Sequence, residues 1–157
     1  MHDVTYRSVG FSEIDIIRPL WEELNRHHAG RSEYFRSWYE RMNFGDRKAY
    51  FRNLHESGQL RLDLASDRST GAYIGYCISS LSREKAGEIE SLWVDPGYRS
   101  AGIGTALVTR AFGWMDSNGA VRKRVSVSAG NQDAWAFYRK FGFVPRLTVL
   151  EQKNPGN

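Results

Sequence analysis

The run Glu90-Ser91-Leu92-Trp93-Val94-Asp95-Pro96-Gly97-Tyr98-Arg99-Ser100-Ala101-Gly102-Ile103-Gly104-Thr105-Ala106-Leu107 reads as a strand, a turn, a glycine-rich loop and the start of a helix. Gly102 and Gly104 permit close approach of the backbone to a ligand. The unpaired N–H groups of the first helical turn can then point at a phosphate, and the helix dipole adds partial positive charge there. The predicted product is an anion cradle. Two familiar phosphate motifs fit it poorly. A dinucleotide fingerprint needs a third glycine where Leu107 stands and belongs on the first βα unit, whereas this segment comes late in the chain. A nucleotide P-loop has the spacing of Gly97 and Gly102 but requires Lys-Ser/Thr next, where this chain has Ile103-Gly104.

The elements that must hold the cradle follow from periodicity. Asp3 to Val9 has the alternation of a short strand, and Ser12 is placed to cap a helix that carries Ile14, Ile17, Leu20, Trp21 and Leu24 at helical spacing. Glu33 to His55 is also helical, broken near Asn43-Phe44-Gly45-Asp46. Leu60, Leu62 and Leu64 then alternate with polar neighbours, and strands at Ala72–Leu81 and Glu88–Val94 complete an antiparallel meander. A helix at Gly102–Ser117, a strand at Val121–Ser128, a helix from Asn131 or Gln132 to Phe141 stopped by Gly142, and a last strand at Phe143–Leu150 follow. The predicted order is β-α-α-β-β-β-α-β-α-β. With no repeat, low-complexity tract or linker, residues 1–152 read as one domain and 153–157 as a flexible tail.

Arg99-Ser100-Ala101-Gly102-Ile103-Gly104 fits Arg/Gln-x-x-Gly-x-Gly/Ala, preceded by a strand ending Leu-x-Val-Asp-Pro. About 30 residues on, Asn131 leads into Tyr138-Arg139-Lys140-Phe141-Gly142-Phe143, a Tyr-x-x-x-Gly-Phe pattern. From about Glu88 to Pro145 the chain resembles the GNAT superfamily of acetyl-CoA-dependent N-acetyltransferases. The resemblance before that is architectural. It implies an α/β (α+β) fold with a mixed, twisted sheet of six to seven strands flanked by about four helices.

The same resemblance implies the site. The amides of Arg99, Ser100, Ala101, Gly102, Ile103, Gly104 and Thr105 would hold the CoA pyrophosphate. The strand carrying Leu92, Trp93 and Val94 would part from the strand at Val121–Ser128 to admit pantetheine, with Asn131 and Tyr138 at the thioester end. A lysine-like amine at pH 7 lies about 4.6 kcal/mol from its neutral form, so a base is useful, and the departing thiolate benefits from a proton donor. Tyr138 takes the donor's position. Glu90 is the preferred base, with Glu88 or a water chain as the alternatives; the glutamate that some relatives carry five residues before Asn131 is Ser126 here. An N–H near Val94 would meet the developing oxyanion. Trp21, His27, His28, Tyr34, Phe35, Trp38 and Tyr39 lie in the helices that wall the acceptor pocket in this fold. The acceptor is expected to be a primary amine of a small molecule or peptide, with polyamine, amino-acid-like metabolite, aminoglycoside and protein N-terminus all open.

Composition bounds the rest. With 41% hydrophobic and 25% charged residues the chain is unlike disordered sequence, and at 157 residues it can bury roughly 70% of its unfolded surface. The only cysteine, Cys77, excludes an internal disulfide and points to a reduced, cytoplasmic setting. The N-terminus lacks an apolar signal core, and no run reaches the ~20 apolar residues of a membrane span. The adjacent His27 and His28 lack metal-ligand spacing, so no metal is expected. From Gly97 to Arg124, Arg99, Arg110, Arg122, Lys123 and Arg124 face only Asp116, a local excess equal to the chain's net +4. That excess suits a small polyanion. No aromatic-basic motif accompanies Arg122-Lys123-Arg124, which read as a turn beyond the helix, and a nucleic-acid partner is not expected. A non-catalytic acyl-CoA sensor of the same fold is the alternative function, and a monomer or homodimer is anticipated.

Overall fold

The computed structural model describes residues 2–154, so residues 155–157 of the anticipated tail lie outside the described range. Strand β1 (Val4–Val9) is followed by a 3-10 helix (Phe11–Ile17) and helix α1 (Arg18–Arg31). The helix begins at Arg18 rather than at Ser12, because Pro19 fits a first turn that needs no amide donor, and the residue flanking the 3-10 turn is Gly10. The long helical segment is broken as its sequence indicates, into α2 (Arg36–Arg41) and α3 (Phe44–Ser57). Asn43 makes the break, its side chain accepting from the Asp46 amide at 2.9 Å.

Strands β2 (Gln59–Asp67), β3 (Tyr73–Leu81) and β4 (Ala86–Val94) form the antiparallel meander, α4 (Ile103–Ser117) crosses over, and β5 (Arg122–Val125) joins β4 in parallel before α5 (Gln132–Arg139). The sheet is mixed and runs β1-β2-β3-β4-β5. Apolar residues divide by face. Ile14, Ile17, Trp21, Phe44 and Phe51 cover Leu62, Leu64, Tyr76, Ile78 and Trp93 on one side. Ile103, Leu107, Val108, Ala111 and Met115 of α4, with Tyr138 of α5, cover Ala65, Ile74, Cys77 and Ile89 on the other. Cys77 is a buried free thiol whose titration burial pushes far up, as a core residue requires.

Three expectations need correction. The described residues contain five strands rather than six to seven, and α1 to α5 rather than about four helices. The alternating segment 143–150 does not form a strand, and Val144, Leu147, Val149 and Leu150 stand 73–92% exposed. Pro145 has no amide to give a ladder, and alternation records only a local preference that must find a partner edge. Arg122, Lys123 and Arg124 are the body of β5 rather than a turn. Of these, Lys123 pairs with Asp116 and Arg124 with Glu88.

A buried ionic cluster ties β1, β2 and α4 together. Asp63 is fully buried and accepts from Ser8 Oγ (2.6 Å), Arg61 Nε and Nη2 (2.8 and 2.9 Å) and Arg110 Nε (3.1 Å). Removing the carboxylate strands two guanidinium groups that still reach water at their outer ends. Asp63→Ala is therefore expected to cost about 2–3 kcal/mol, below the full loss of a wholly buried pair, as read by urea denaturation. A change under about 0.5 kcal/mol would show that the cluster contributes no net stability.

Candidate active site

The site grows from the end of β4. β5 pairs with β4 only from Ala86↔Arg122 to Ile89↔Val125, so the two strands part beyond Ile89. Asp95 donates its amide to Ile74 of β3 at 2.8 Å. Alternation along the strand then turns the N–H and C=O of Val94 away from β3, toward the parted side. The carbonyl accepts from Arg99 Nε at 3.1 Å, and the amide faces the opening. Leu92 and Val94 pack on the α4 face, while Trp93 is buried on the other.

The glycine-rich loop lies beside this opening. Asp95 accepts from the Gly97 amide at 2.8 Å, and Tyr98 donates its hydroxyl to Asp67 Oδ2 at 2.7 Å, which anchors the loop to the β2–β3 turn. The Ser69 hydroxyl first, then the Tyr98 hydroxyl and the Ser69 amide, hold the Asp67 carboxyl down to about 2. Ser100 (φ 65°) and Gly102 (φ 78°) both adopt left-handed backbone, and Gly102 is the residue before the first turn of α4. The first bond of that helix runs from Ala106 to Gly102 O, at 3.0 Å. The amides of Ser100, Ala101, Gly102, Ile103, Gly104 and Thr105 donate to no carbonyl among the described residues. Ile103 contributes only backbone here, since its side chain is core. Of the seven amides drawn from the sequence, that of Arg99 is not free, since it donates to Pro96 O at 3.4 Å. The atoms nearest to a Cβ built on Gly104 are those of the Phe137 ring (3.5 and 3.6 Å) and of Val94 (3.8 Å), so this glycine sits where helix start, β4 and α5 meet.

The two titratable candidates occupy opposite faces of the sheet. Tyr138 is buried on the α4 face among Ile89, Phe137 and Phe143, and burial pushes its phenol far up, so it keeps its proton at any ordinary pH. Glu90 lies on the α1/α3 face. The register of β3 with β4 passes from Ile78↔Ser91 to Ser79↔Ile89, which leaves Glu90 as the extra residue of a β-bulge, a device that re-aims a side chain. Its carboxylate accepts from Ser80 Oγ at 2.5 Å and Tyr50 Oη at 3.0 Å, and its backbone carbonyl from Arg47 Nη2 at 3.0 Å. Burial raises its pKa, Glu88 adds to the rise, and the Ser80 hydroxyl bond offsets part of it.

Glu88 differs in kind. Arg124 Nε and Ser126 Oγ engage its carboxylate at 2.7 and 3.3 Å, so it is committed to joining β4 and β5. Asn131 precedes α5 without capping it, beside a loop that is docked on α1 and α2. Tyr39 donates to Ser128 Oγ at 2.8 Å, Arg31 pairs with Asp133 at 3.2 Å, and a Cβ on Gly130 would come within 2.3 Å of the Arg31 carbonyl oxygen. His27 and Arg99 lie over the Trp93 ring at 5.4 and 4.5 Å. His28 packs on Tyr39, and burial first, with His27 and Arg47 adding, lowers its pKa to about 4, leaving it neutral. His27, His28 and Tyr39 thus border the opening, whereas Trp21 is core and Tyr34 and Trp38 are exposed.

Sequence reasoning missed Arg47, Tyr50 and Ser80. Arg47 and Tyr50 share one face of α3, but nothing local to that helix points to a strand residue forty positions away. Among the described residues no helix is long and apolar enough to cross a membrane, and no group of three or more His, Cys, Asp or Glu residues could hold a metal ion.

Comparison with known proteins bears on the family and the fold. The family model described as acetyltransferase (GNAT) family matches residues 18–143. An uncharacterized N-acetyltransferase of Methanocaldococcus jannaschii is 35% identical over 72 residues, which is 46% of this chain and 32% of that protein. A mycothiol acetyltransferase of Beutenbergia cavernae is 34% identical over 82 residues, 52% of this chain and 28% of that protein. The chain thus matches about a third of the length of these curated relatives. Among solved structures, a GCN5-related N-acetyltransferase from Ralstonia eutropha superposes with a TM-score of 0.73 at 19% identity, over 96% of this chain and 98% of that one. AAC(6')-Iy in complex with the bisubstrate analog CoA-S-monomethyl-acetylneamine superposes with a TM-score of 0.69 at 16% identity, over 98% and 99%.

Proposed function

This chain belongs to the acetyltransferase (GNAT) family, and we propose that it transfers the acetyl group of acetyl-CoA to a primary amine of a small molecule or peptide by direct attack in a ternary complex. The observation that carries the proposal is the run of free amides from Ser100 to Thr105 beside a strand edge that opens at Glu90. Those amides fit a diphosphate, and the free edge of Leu92 to Val94 fits the amides of pantetheine. Acetyl-CoA would supply the acetyl group as a reactive thioester.

The residues divide the proton work by face. Glu90, a carboxylate of raised pKa bonded to neutral hydroxyls, takes the proton of an amine entering between α1, α2 and α3. Tyr138, protonated on the α4 side, gives a proton to the leaving thiolate. The Val94 amide meets the negative charge that develops between them. Mycothiol acetyltransferase and AAC(6')-Iy act on different acceptors by name, so the likeness supports the amine class and leaves its member open.

Thiol release from acetyl-CoA over a panel of polyamines, amino-acid-like amines, aminoglycosides and peptide N-termini tests the reading. Acceptor-dependent release supports it. Coenzyme A binding without release for any acceptor would favour a sensor. Tyr138→Phe is expected to lower kcat by about 10- to 100-fold with the Kd for acetyl-CoA within about twofold. An unchanged kcat across pH would remove Tyr138 from the reaction.

A further inference from the structure

The bulge at Glu90 raises a question of aim that β4 alone does not answer. A bulged residue has no cross-strand partner to fix it, and a base must hold its carboxylate within hydrogen-bond reach of the amine. α3 supplies both restraints. Arg47 Nη2 donates to the Glu90 carbonyl at 3.0 Å and so satisfies the acceptor left by the bulge, while its guanidinium lies 4.5 Å from the Tyr50 ring centre. Tyr50, one turn on, donates to Glu90 Oε2 at 3.0 Å, while Ser80 of β3 holds Oε1 at 2.5 Å.

We propose that Tyr50 is a positioning residue for the reaction, its hydroxyl orienting the Glu90 carboxylate and keeping it in the ionised, proton-accepting form. The proposal rests on the reading of Glu90 as the base. Three observations beyond the single contact support it. Tyr50 is 41% exposed, more than a core tyrosine would be, so it stands at the surface of the α3 side rather than within the core. Arg47 stacks on both Tyr50 and Phe51, which fixes the ring from behind. Burial first, then the Glu90 charge and hydrogen bond, raise the Tyr50 phenol to about 12. It therefore remains a donor throughout the range in which Glu90 titrates.

The direction of the pH effect follows. The charged and titratable groups facing Glu90 are Glu88 on β4, itself bonded to Arg124 of β5, and Arg47 and Tyr50 on α3; Ser80 on β3 adds a neutral hydroxyl. Glu88 favours the protonated form of Glu90. Arg47 and the two hydroxyls favour the carboxylate. Removing one hydroxyl shifts the balance toward the protonated form, which cannot accept a proton. The acid limb of the rate profile then moves to higher pH.

The test compares kcat/KM against pH for wild type, Y50F and S80A, with the Glu90 carboxyl titrated by carbon NMR in each folded protein. Y50F keeps the ring and the Arg47 stacking. Its acid limb and its Glu90 titration are expected to move up by about half to one pH unit, a roughly three- to tenfold loss of kcat/KM below the limb. The plateau at high pH should also fall as the carboxylate loses its aim, while the Kd for acetyl-CoA stays near wild type, and S80A should move the acid limb and the carboxyl titration the same way. Coincident profiles and carboxyl titrations in wild type and Y50F overturn the proposal. E90Q separates the two claims: wild-type rates in E90Q would remove the base itself, whereas an impaired E90Q with an unshifted Y50F removes only the role of Tyr50.

Discussion

Glu90→Gln is expected to lower kcat by about 10²–10³ while leaving the Kd for acetyl-CoA within about twofold, in single-turnover and calorimetric measurements. Glutamine keeps the shape of the side chain and an acceptor oxygen for Tyr50 or Ser80, so the variant removes basicity with little change of packing. Without a base the reaction must draw on the fraction of amine already neutral, which for a lysine-like group at pH 7 lies about 4.6 kcal/mol uphill. The loss should shrink as pH rises and the free amine becomes abundant. A constant deficit across pH would point to a steric cause.

The same variant carries a stability signature of opposite sign. Burial raises the folded-state pKa of Glu90 above its ordinary value of 4.5. Between the unfolded and folded values the native state binds more protons than the unfolded chain, so this group's contribution falls as pH rises through that window. Glu90→Gln lacks the penalty. It should unfold at a higher temperature than wild type at pH 8, with the difference fading toward pH 4. A variant both slower and more stable fits a functional charge held in an unfavourable place. One that is slower and less stable at pH 8 would make Glu90 a structural residue.

Gly104→Leu is expected to weaken coenzyme A binding by at least about 100-fold, read by calorimetry, with the protein still folded by circular dichroism. The Cβ alone is tolerable, since its nearest neighbours are ring atoms of Phe137 at 3.5 and 3.6 Å and Val94 at 3.8 Å. A leucine side chain must extend past them, against Phe137 or over the amides of the helix start. Either choice removes the close approach on which diphosphate binding depends. Gly104→Ala provides the graded control and should bind within about tenfold of wild type. Wild-type affinity in the leucine variant would place the diphosphate elsewhere.

The legibility of this protein divides by range. The turn from β4 into α4 was readable because its parts are consecutive: Asp95 and Pro96 stop a strand, Gly102 takes a left-handed φ, and a helix begins at Ile103. The meander was readable because Leu60, Leu62 and Leu64 alternate and the turns are marked by Asp67–Gly71 and Ser82–Gly87. The end of the sheet was not. Phe143–Leu150 alternates as a strand does, yet whether it pairs depends on β5, which offers four paired residues and then departs. The beginning of α1 was misplaced for a local reason, since Ser12 has the chemistry of a cap but Pro19 marks where α-helical backbone begins.

By itself, the amino-acid sequence determined the family, the antiparallel meander and the glycine-rich turn into α4, because each rests on residues within one turn or one strand of each other. Only the tertiary structure decided how each of the two carboxylates is engaged. Glu88 and Glu90 are two residues apart on one strand and alike in sequence, but Arg124 reaches the first across β4 and β5. Arg47, Tyr50 and Ser80 surround the second from α3 and β3. Charge state and aim depend on neighbours distant in the chain, and those neighbours are assigned by packing rather than by spacing.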